Sequence, residues 1–404
     1  MASPRKVLCT IAHGPQTALL DLAREPLEDF AARHGYDLHL QAEAEDRSRP
    51  LSWSKVPLLE RLLREYEVAV WVDADAIFLD TTRDIAEELE DDRFLYLCMH
   101  RYEGQDAANC GVLMLRSCEE AFALLDDAWA MTEFVDHPWW EQAAILTLLG
   151  FEIGGDDTAA TAHIVRPTAR FAGTKLLHRE WNSISRDPAP RPRIKHYAGL
   201  SHAERLAGMA ADLETFRSRA AARAVPSRFG ATIVLPLSAV PERAWASVVA
   251  LSELGDEPVH EVVLVHDGSG RHAELLAAVG GDVKVVESAA GTFDAAVAAG
   301  AGVAEGEVVA VVGEAAAPGP GWLASLVEGA ASRDCAVSVR VVRTEQGVLP
   351  VAAAFRREEL AALRLPAGLP YDFGVAQLCV AAAEQLAQPT IVGVDQPAAP
   401  ALAA

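Results

Sequence analysis

Glu67-Val-Ala-Val-Trp-Val-Asp-Ala-Asp-Ala-Ile-Phe-Leu-Asp80 is the stretch around which this chain reads as a fold. Val68 to Val72 is a continuous apolar run, β-branched at alternate positions and too short for a helix of its own. That pattern predicts a strand buried on both faces, the kind found in parallel sheets. The run stops at Asp73, and a second carboxylate follows at Asp75. On extended backbone, residues i and i+2 point to the same side, so both carboxylates are expected to leave the strand end facing one way. Ligands of open α/β sheets bind outside the carboxyl ends of the strands. Two carboxylates there repel each other unless a cation lies between them. Mn²⁺ or Mg²⁺ suits such oxygen ligands and shares its shell with substrate phosphates. Two solvated aspartates at a strand end would give the same triplet, which by itself is a weak signal in so acidic a chain. The buried strand before it, and the residues on either side, add weight to the metal reading.

The 404 residues suggest two domains of ordinary size, and 51% apolar content allows each a core. A net charge of −23 argues against nucleic acid and anionic membrane as partners. It does not argue against a phosphorylated substrate, because a bound metal inverts the local field. The six cysteines, Cys9, Cys98, Cys110, Cys118, Cys335 and Cys379, include no Cys-x-x-Cys pair. They read as reduced thiols rather than a disulfide framework or a zinc site. With neither a signal-peptide core nor a run long enough to span a bilayer, a cytoplasmic location is expected.

In chain order, Val7 to Ala12 is predicted as a first strand, Ala18 to His34 as a helix capped near Gly35, and Tyr36 to Leu40 as a second strand. Pro57 suits a first helical turn, with Leu58, Leu59, Leu62 and Leu63 on one face and Lys55 just ahead of it. After the Asp-x-Asp strand come a short helix over 83–89, a strand over 94–99, and a turn at Asn109-Cys-Gly111 into a buried strand. Helices follow over 119–132 and 139–149, the second with Glu141 and Gln142 in its first turn. Ile194-Lys-His-Tyr-Ala-Gly199 leads into Ser201-His-Ala-Glu204, a capping box opening a long helix.

The order Trp53-Ser-Lys55, apolar strand, Asp73-x-Asp75, Asn109-x-Gly111, Glu141-Gln142, His196-x-x-Gly199 resembles the retaining, metal-dependent glycosyltransferases of the GT-A fold. It is most similar to glycosyltransferase family 34, the galactosyl-, mannosyl- and xylosyltransferases, over roughly residues 5–210. Family 8 shares much of the pattern. The resemblance implies that Asp73, Asp75 and His196 hold Mn²⁺ or Mg²⁺ against the diphosphate of a nucleotide-sugar donor. It places Lys55 and Asn109 at the donor phosphate or sugar, Gln142 near the anomeric carbon and Glu141 beside it on sugar hydroxyls. Thr10, Ala12, Ala74, Gly111, Gly199 and His202 complete the implied donor pocket. A glycan or small molecule would be the acceptor. These families carry a lysine two residues after the last glycine; here that position is Ser201, so either His202 or Lys195 is expected to substitute, or donor binding to weaken. Attack could pass through Glu141 as a nucleophile or proceed from the front side beside Gln142.

Residues 203–224 form a long Ala/Arg/Leu helix, and Pro226-Ser-Arg breaks it, which puts a domain boundary near 227. Beyond it strands again alternate with helices, giving two α/β domains in tandem with mostly parallel sheets. Residues 227–394 resemble family 2 glycosyltransferases, with His266-Asp-Gly-Ser269 and Pro318-Gly-Pro-Gly-Trp322 as surviving landmarks. Where metal carboxylates belong, Val72-Asp-Ala-Asp75 becomes Val312-Gly-Glu-Ala315. This half is therefore expected to be degenerate and non-catalytic, used for packing, homodimerisation or acceptor positioning. Residues 395–404 read as a disordered Pro/Ala tail. Two other functions fit parts of the pattern. One is a non-catalytic nucleotide-sugar or glycan-binding scaffold. The other is a sugar nucleotidyltransferase, although His13-Gly-Pro-Gln16 is not its glycine-rich signature.

Overall fold

The computed structural model describes residues 4–395 apart from 45, 103–104, 155–160, 225, 239, 255–257, 281–282, 315, 317, 320, 333–334, 345–346 and 387–389. It divides into two compact units, Met1–Phe216 and Arg217–Ala404. The division falls inside a helix, ten residues ahead of the Pro226 break.

The first unit is built on a six-stranded sheet. β1 (Lys6–Ile11), β2 (Tyr36–Gln41) and β3 (Val68–Val72) are parallel, in the order β2-β1-β3. A short β4 (Ala76–Phe78) leaves this sheet. β5 (Leu95–Tyr102) and β6 (Gln105–Arg116) extend the sheet as β3-β6-β5, each antiparallel to its neighbour. β7 (Phe151–Gly154) and β8 (Thr161–Ile164) form a separate ribbon, and β9 (Thr174–Leu177) closes the large sheet beside β5. β10 (Ser183–Ile184) and β11 (Ile194–His196) pair with β4 in a small second sheet.

Burial on both faces of β3 is as expected, and the alternation shows why. Val68, Val70 and Val72 pack into one core with helix α1 (Gln16–His34). Ala69 and Trp71 pack into another with α2 (Lys55–Leu63), α3 (Glu119–Ala130) and α4 (Trp140–Leu149). Each buried valine contributes roughly 1.5–3 kcal/mol of transfer free energy. Gly35 ends α1 at φ 69°, a left-handed turn that glycine adopts without a Cβ clash. A one-turn α5 (Ala169–Ala172) precedes α6 (His202–Ala224). The capping box forms at the start of α6: the Ser201 amide donates to the Glu204 carboxylate and the Glu204 amide to the Ser201 hydroxyl.

In the second unit the strands are β12 (Phe229–Pro236), β13 (His260–His266), β14 (Val283–Glu287), β15 (Gly306–Val312), β16 (Ser338–Thr344), β17 (Gly347–Arg356) and β18 (Thr390–Asp395). Their order is β14-β13-β12-β15-β17-β16-β18. Apart from the additional parallel edge strand β14, this repeats the first unit: three parallel strands, two antiparallel ones, then a last strand parallel to its neighbour. Helices α7 (Pro241–Ser252), α8 (Ala273–Ala278), α9 (Phe293–Gly302), α10 (Trp322–Ala331), α11 (Arg357–Ala362) and α12 (Gly374–Gln385) accompany it. The fold class read from the sequence, tandem α/β units with mostly parallel sheets, therefore stands.

Three local expectations change. Asn109–Gly111 is not a turn before a strand; it lies within β6. There the pairing with β5 jumps from Leu97–Leu113 to Cys98–Asn109, so Cys110, Gly111 and Val112 have no counterpart on β5. Asp73 to Asp75 is a turn rather than extended chain, closed by the Ala76 amide donating to the Asp73 carbonyl at 3.0 Å. Asp395 ends β18 instead of starting the tail. Residues 396–404, Asp282 and Ala315 lie outside the described residues. No helix among the described residues is long and apolar enough to cross a membrane.

Candidate active site

Strand β3 ends at Val72, and the chain turns at once. The Asp73 amide donates to the Gly111 carbonyl at 2.7 Å, which ties the turn to the irregular part of β6. The turn swings Asp75 back beside Asp73, and β4 then pairs antiparallel with β11, setting Ala76 opposite His196. Ligand atoms of Asp73, Asp75 and His196 all lie within 4.8 Å of one another. His196 Nε2 is 3.4 Å from Asp75 Oδ1 and 3.7 Å from Asp73 Oδ2. Among the described residues this is the one cluster of three such side chains with metal-ligand spacing.

The donor set fits a hard divalent ion. The other nitrogen of His196, Nδ1, is 3.0 Å from the Asn182 side-chain oxygen. Donation of the Nδ1 proton there leaves Nε2 with its lone pair toward the carboxylates, the arrangement that orients imidazole ligands in metal sites. Gly111 makes room for the ring: a Cβ at that position would come within 2.1 Å of His196 Cε1. Burial disfavours the imidazolium, but Asp75 and Asp73 outweigh it and hold the His196 pKa above its usual value. Asp75, although desolvated, is pulled down to about 2 by His196 and Arg205.

Lys55, expected just ahead of α2, is its first residue and is buried. Its ammonium lies 2.7 Å from Glu141 Oε1, 3.3 Å from Asp73 Oδ1 and 3.2 Å from the Cys110 carbonyl. Desolvation would lower its pKa, but Asp73 and Glu141 raise it, so the ammonium stays charged. The indole of Trp71 also donates to Asp73 Oδ1, at 2.5 Å. One oxygen of Asp73 is thus fastened to the protein while the other faces His196. Glu141 is as buried as Lys55, and among the described residues its Oε2 has no hydrogen-bond partner.

Gln142 and Asn109 are tied to the irregular stretch of β6, and the other predicted residues lie around it in separate elements. The Gln142 side-chain oxygen accepts from the Cys110 amide at 2.9 Å. Asn109 Oδ1 accepts from the Gly111 amide and from the Asn182 side-chain amide, each at 2.8 Å. Thr10 and Ala12 are buried at the end of β1, with the Thr10 hydroxyl unpartnered among the described residues; Ala74 is buried between the two aspartates. Gly199 sits at φ 75° in the turn before α6, and His202 is exposed at its start. Lys195 pairs with Asp212 at 2.9 Å and lies over the Tyr197 ring.

Two residues of this constellation go unnamed in the sequence reading. Asn182 follows a one-turn 3-10 segment, Arg179–Trp181, and joins His196 to Asn109 across long sequence separations. Arg205 was legible in principle, since the capping box places it at the end of the first turn of α6. Its Nη1 lies 3.0 Å from Asp75 Oδ2.

In the second unit, Gly313 donates its amide to the Val351 carbonyl at 2.8 Å, and the Ala316 amide closes the turn on the Gly313 carbonyl at 3.0 Å. These are the two backbone bonds made around Asp73. Glu314 is held by the Ser238 amide and hydroxyl, at 2.9 and 2.5 Å. Burial pushes its pKa up against those bonds.

Several known proteins resemble this chain in part. Relatives include "Probable glycosyltransferase 5" of Oryza sativa subsp. indica, 32% identical over 114 residues, 25% of this chain and 24% of that protein. "Probable glycosyltransferase 3" of the same source is 32% identical over 152 residues, 34% of this chain and 32% of that protein. The chain thus spans about a quarter to a third of the length of the curated relatives it matches. Among solved structures, a glycosyltransferase involved in the glycosylation of the major capsid of PBCV-1 aligns with TM-score 0.40 and 15% identity, covering 51% of this chain and 98% of that one. The galactosyltransferase LgtC, in complex with donor and acceptor sugar analogs, aligns with TM-score 0.33 and 13% identity over 50% of this chain and 94% of that one. Residues 8–107, which hold Lys55, Asp73 and Asp75, match the galactosyl transferase GMA12/MNN10 family, and over that stretch the resemblance to family 34 is borne out.

Proposed function

We propose that this chain is a metal-dependent retaining glycosyltransferase acting through residues 1–226. It would transfer a hexose or pentose from a nucleotide sugar, a UDP-sugar in the first instance, to a glycan or small-molecule acceptor. The observation that carries this reading is the convergence of Asp73, Asp75 and His196 at the carboxyl end of β3. Mn²⁺ or Mg²⁺ held by these three would supply positive charge to the departing diphosphate.

The chain's own residues support the rest. Asn182 and the space at Gly111 set the imidazole; Lys55 and Trp71 set Asp73. Gln142 is steadied through its oxygen on the Cys110 amide, which leaves its NH2 edge for a sugar or acceptor oxygen. Glu141 is fastened to Lys55 in the interior, a poor placement for a nucleophile. That favours front-side attack, with retention, over a covalent intermediate. The second unit fits a non-catalytic partner in packing, dimerisation or acceptor positioning, because Gly313 stands where Asp73 stands. A binding scaffold without turnover is the second reading. It is favoured by Ser201 and by the engagement of Lys195 with Asp212, and opposed by the complete metal triad.

A panel of nucleotide sugars with and without Mn²⁺, followed by thermal unfolding, tests the reading. At a ligand concentration one hundred times Kd the native state gains about 2.7 kcal/mol. The stabilisation should require metal and vanish in Asp73→Asn; metal-independent stabilisation would contradict the proposed site.

A further inference from the structure

Arg205 is the cation of the site to which neither metal binding nor sugar transfer has yet given a task. Its Nε donates to the Leu200 carbonyl at 2.9 Å, and its Nη1 lies 3.0 Å from Asp75 Oδ2. Among the described residues Nη2 has no partner. The Arg205 side chain is 22% exposed, whereas that of Lys55 is 4% exposed. Lys55 is therefore the internal counter-ion, and Arg205 is the one at the mouth.

Charge counting shows what each does. Three carboxylates, Asp73, Asp75 and Glu141, meet two permanent cations, Lys55 and Arg205, around His196. Adding a divalent ion with His196 neutral leaves the cluster with one net positive charge. Without Arg205 it would be neutral, with nothing beyond the ion itself to draw in a diphosphate. The whole chain, at −23, repels such a ligand. A guanidinium presents several N–H donors in a fixed fork that matches phosphate oxygens. The start of α6 beside it adds the positive end of a 23-residue helix.

We propose that Arg205 is the donor-binding cation of this site, taking the nucleoside diphosphate through the N–H edge that Asp75 leaves free. In the absence of metal the same guanidinium neutralises Asp75. The inference rests on the reading of the site as metal-dependent and donor-binding. It implies opposite effects of one substitution. Removing Arg205 takes a positive charge away from a metal ligand, so Mn²⁺ alone should bind as tightly or tighter. The same change removes a charge-assisted phosphate contact, so UDP should bind about 10- to 100-fold more weakly.

Calorimetry on the full chain tests this with three titrants: Mn²⁺ alone, UDP with Mn²⁺, and UMP with Mn²⁺. In Arg205→Ala, Mn²⁺ affinity is expected to hold or rise, UDP affinity to fall, and the preference for UDP over UMP to shrink with it. Retained Mn²⁺ binding reports that the site is still folded. Arg205→Lys, which keeps the charge and loses the fork, is expected to fall between wild type and Arg205→Ala. UDP affinity within about twofold of wild type in Arg205→Ala, with the UDP-to-UMP ratio unchanged, would overturn the inference and leave the site assignment standing. No metal-dependent UDP binding by the wild type would overturn the site assignment, and the inference with it.

Discussion

Asp73 and Gly313 hold the same place in two topologically equivalent sheets. Each donates its amide to the carbonyl of the antiparallel neighbour, at 2.7 and 2.8 Å, and each accepts from the residue three positions on, at 3.0 Å. The backbone of the turn is shared, and the carboxylate is present in only one. Under the proposed function, one metal-dependent donor site per chain is expected. Calorimetry of a bound UDP-sugar with Mn²⁺ should give a stoichiometry near one on the full chain, and Asp73→Asn should remove all of it. A second equivalent, or residual metal-dependent binding in Asp73→Asn, would show that the second unit also binds donor.

Gly111 exists for His196. A methyl group there would overlap the imidazole at 2.1 Å, so Gly111→Ala must displace the ring from Asn182 and from the carboxylates. Loss of an orienting contact typically costs 10- to 100-fold in metal affinity. Mn²⁺ binding followed by electron paramagnetic resonance should weaken by about that factor. Asn182→Ala should weaken it similarly. Wild-type affinity in both variants would mean that the ring does not ligate.

Lys55 and Glu141 form a buried pair at 2.7 Å. Removing one partner of such a pair typically costs about 3–5 kcal/mol, because the other charge is left uncompensated. Lys55→Met should lower stability to urea by an amount of that order, and the double variant Lys55→Met/Glu141→Leu should recover much of it. If Lys55 served donor binding alone, the single variant would lose donor affinity with stability intact.

Gln142, in the first turn of α4, reaches the irregular stretch of β6 through the Cys110 amide. Its proposed task arises in the transition state, so Gln142→Ala should lower kcat far more than it raises KM for the donor. An unchanged kcat would reduce Gln142 to a prop for the Cys110 amide.

Strands were legible wherever side chains alternate between two cores, as in Val68 to Val72 and Val308 to Val312. The equivalence of Asp73 and Gly313 was legible too, since both follow such a strand directly. The bulge of β6 was not. Asn109 and Gly111 are turn-forming residues; what holds them in the strand is the pairing of Asn109 with Cys98 of β5 and the Asp73 amide donating to the Gly111 carbonyl, contacts that local propensity does not signal. The two aspartates converge by a turn rather than by pleat, a distinction that one intervening alanine cannot signal. Asn182 was invisible because its partners, His196 and Asn109, come from separate elements. The burial of Lys55 was not legible, because the carboxylates it pairs with, Asp73 and Glu141, are distant in the chain.

The measurement that tests the account most directly is a metal titration of nucleotide-sugar turnover, with the first-formed anomer observed by proton nuclear magnetic resonance. With a UDP-α-sugar, turnover should be absent after chelation, return with Mn²⁺ or Mg²⁺, disappear in Asp75→Asn, and release or transfer the sugar first as the α-anomer. Turnover that survives chelation, or a β-configured first product, would contradict the account.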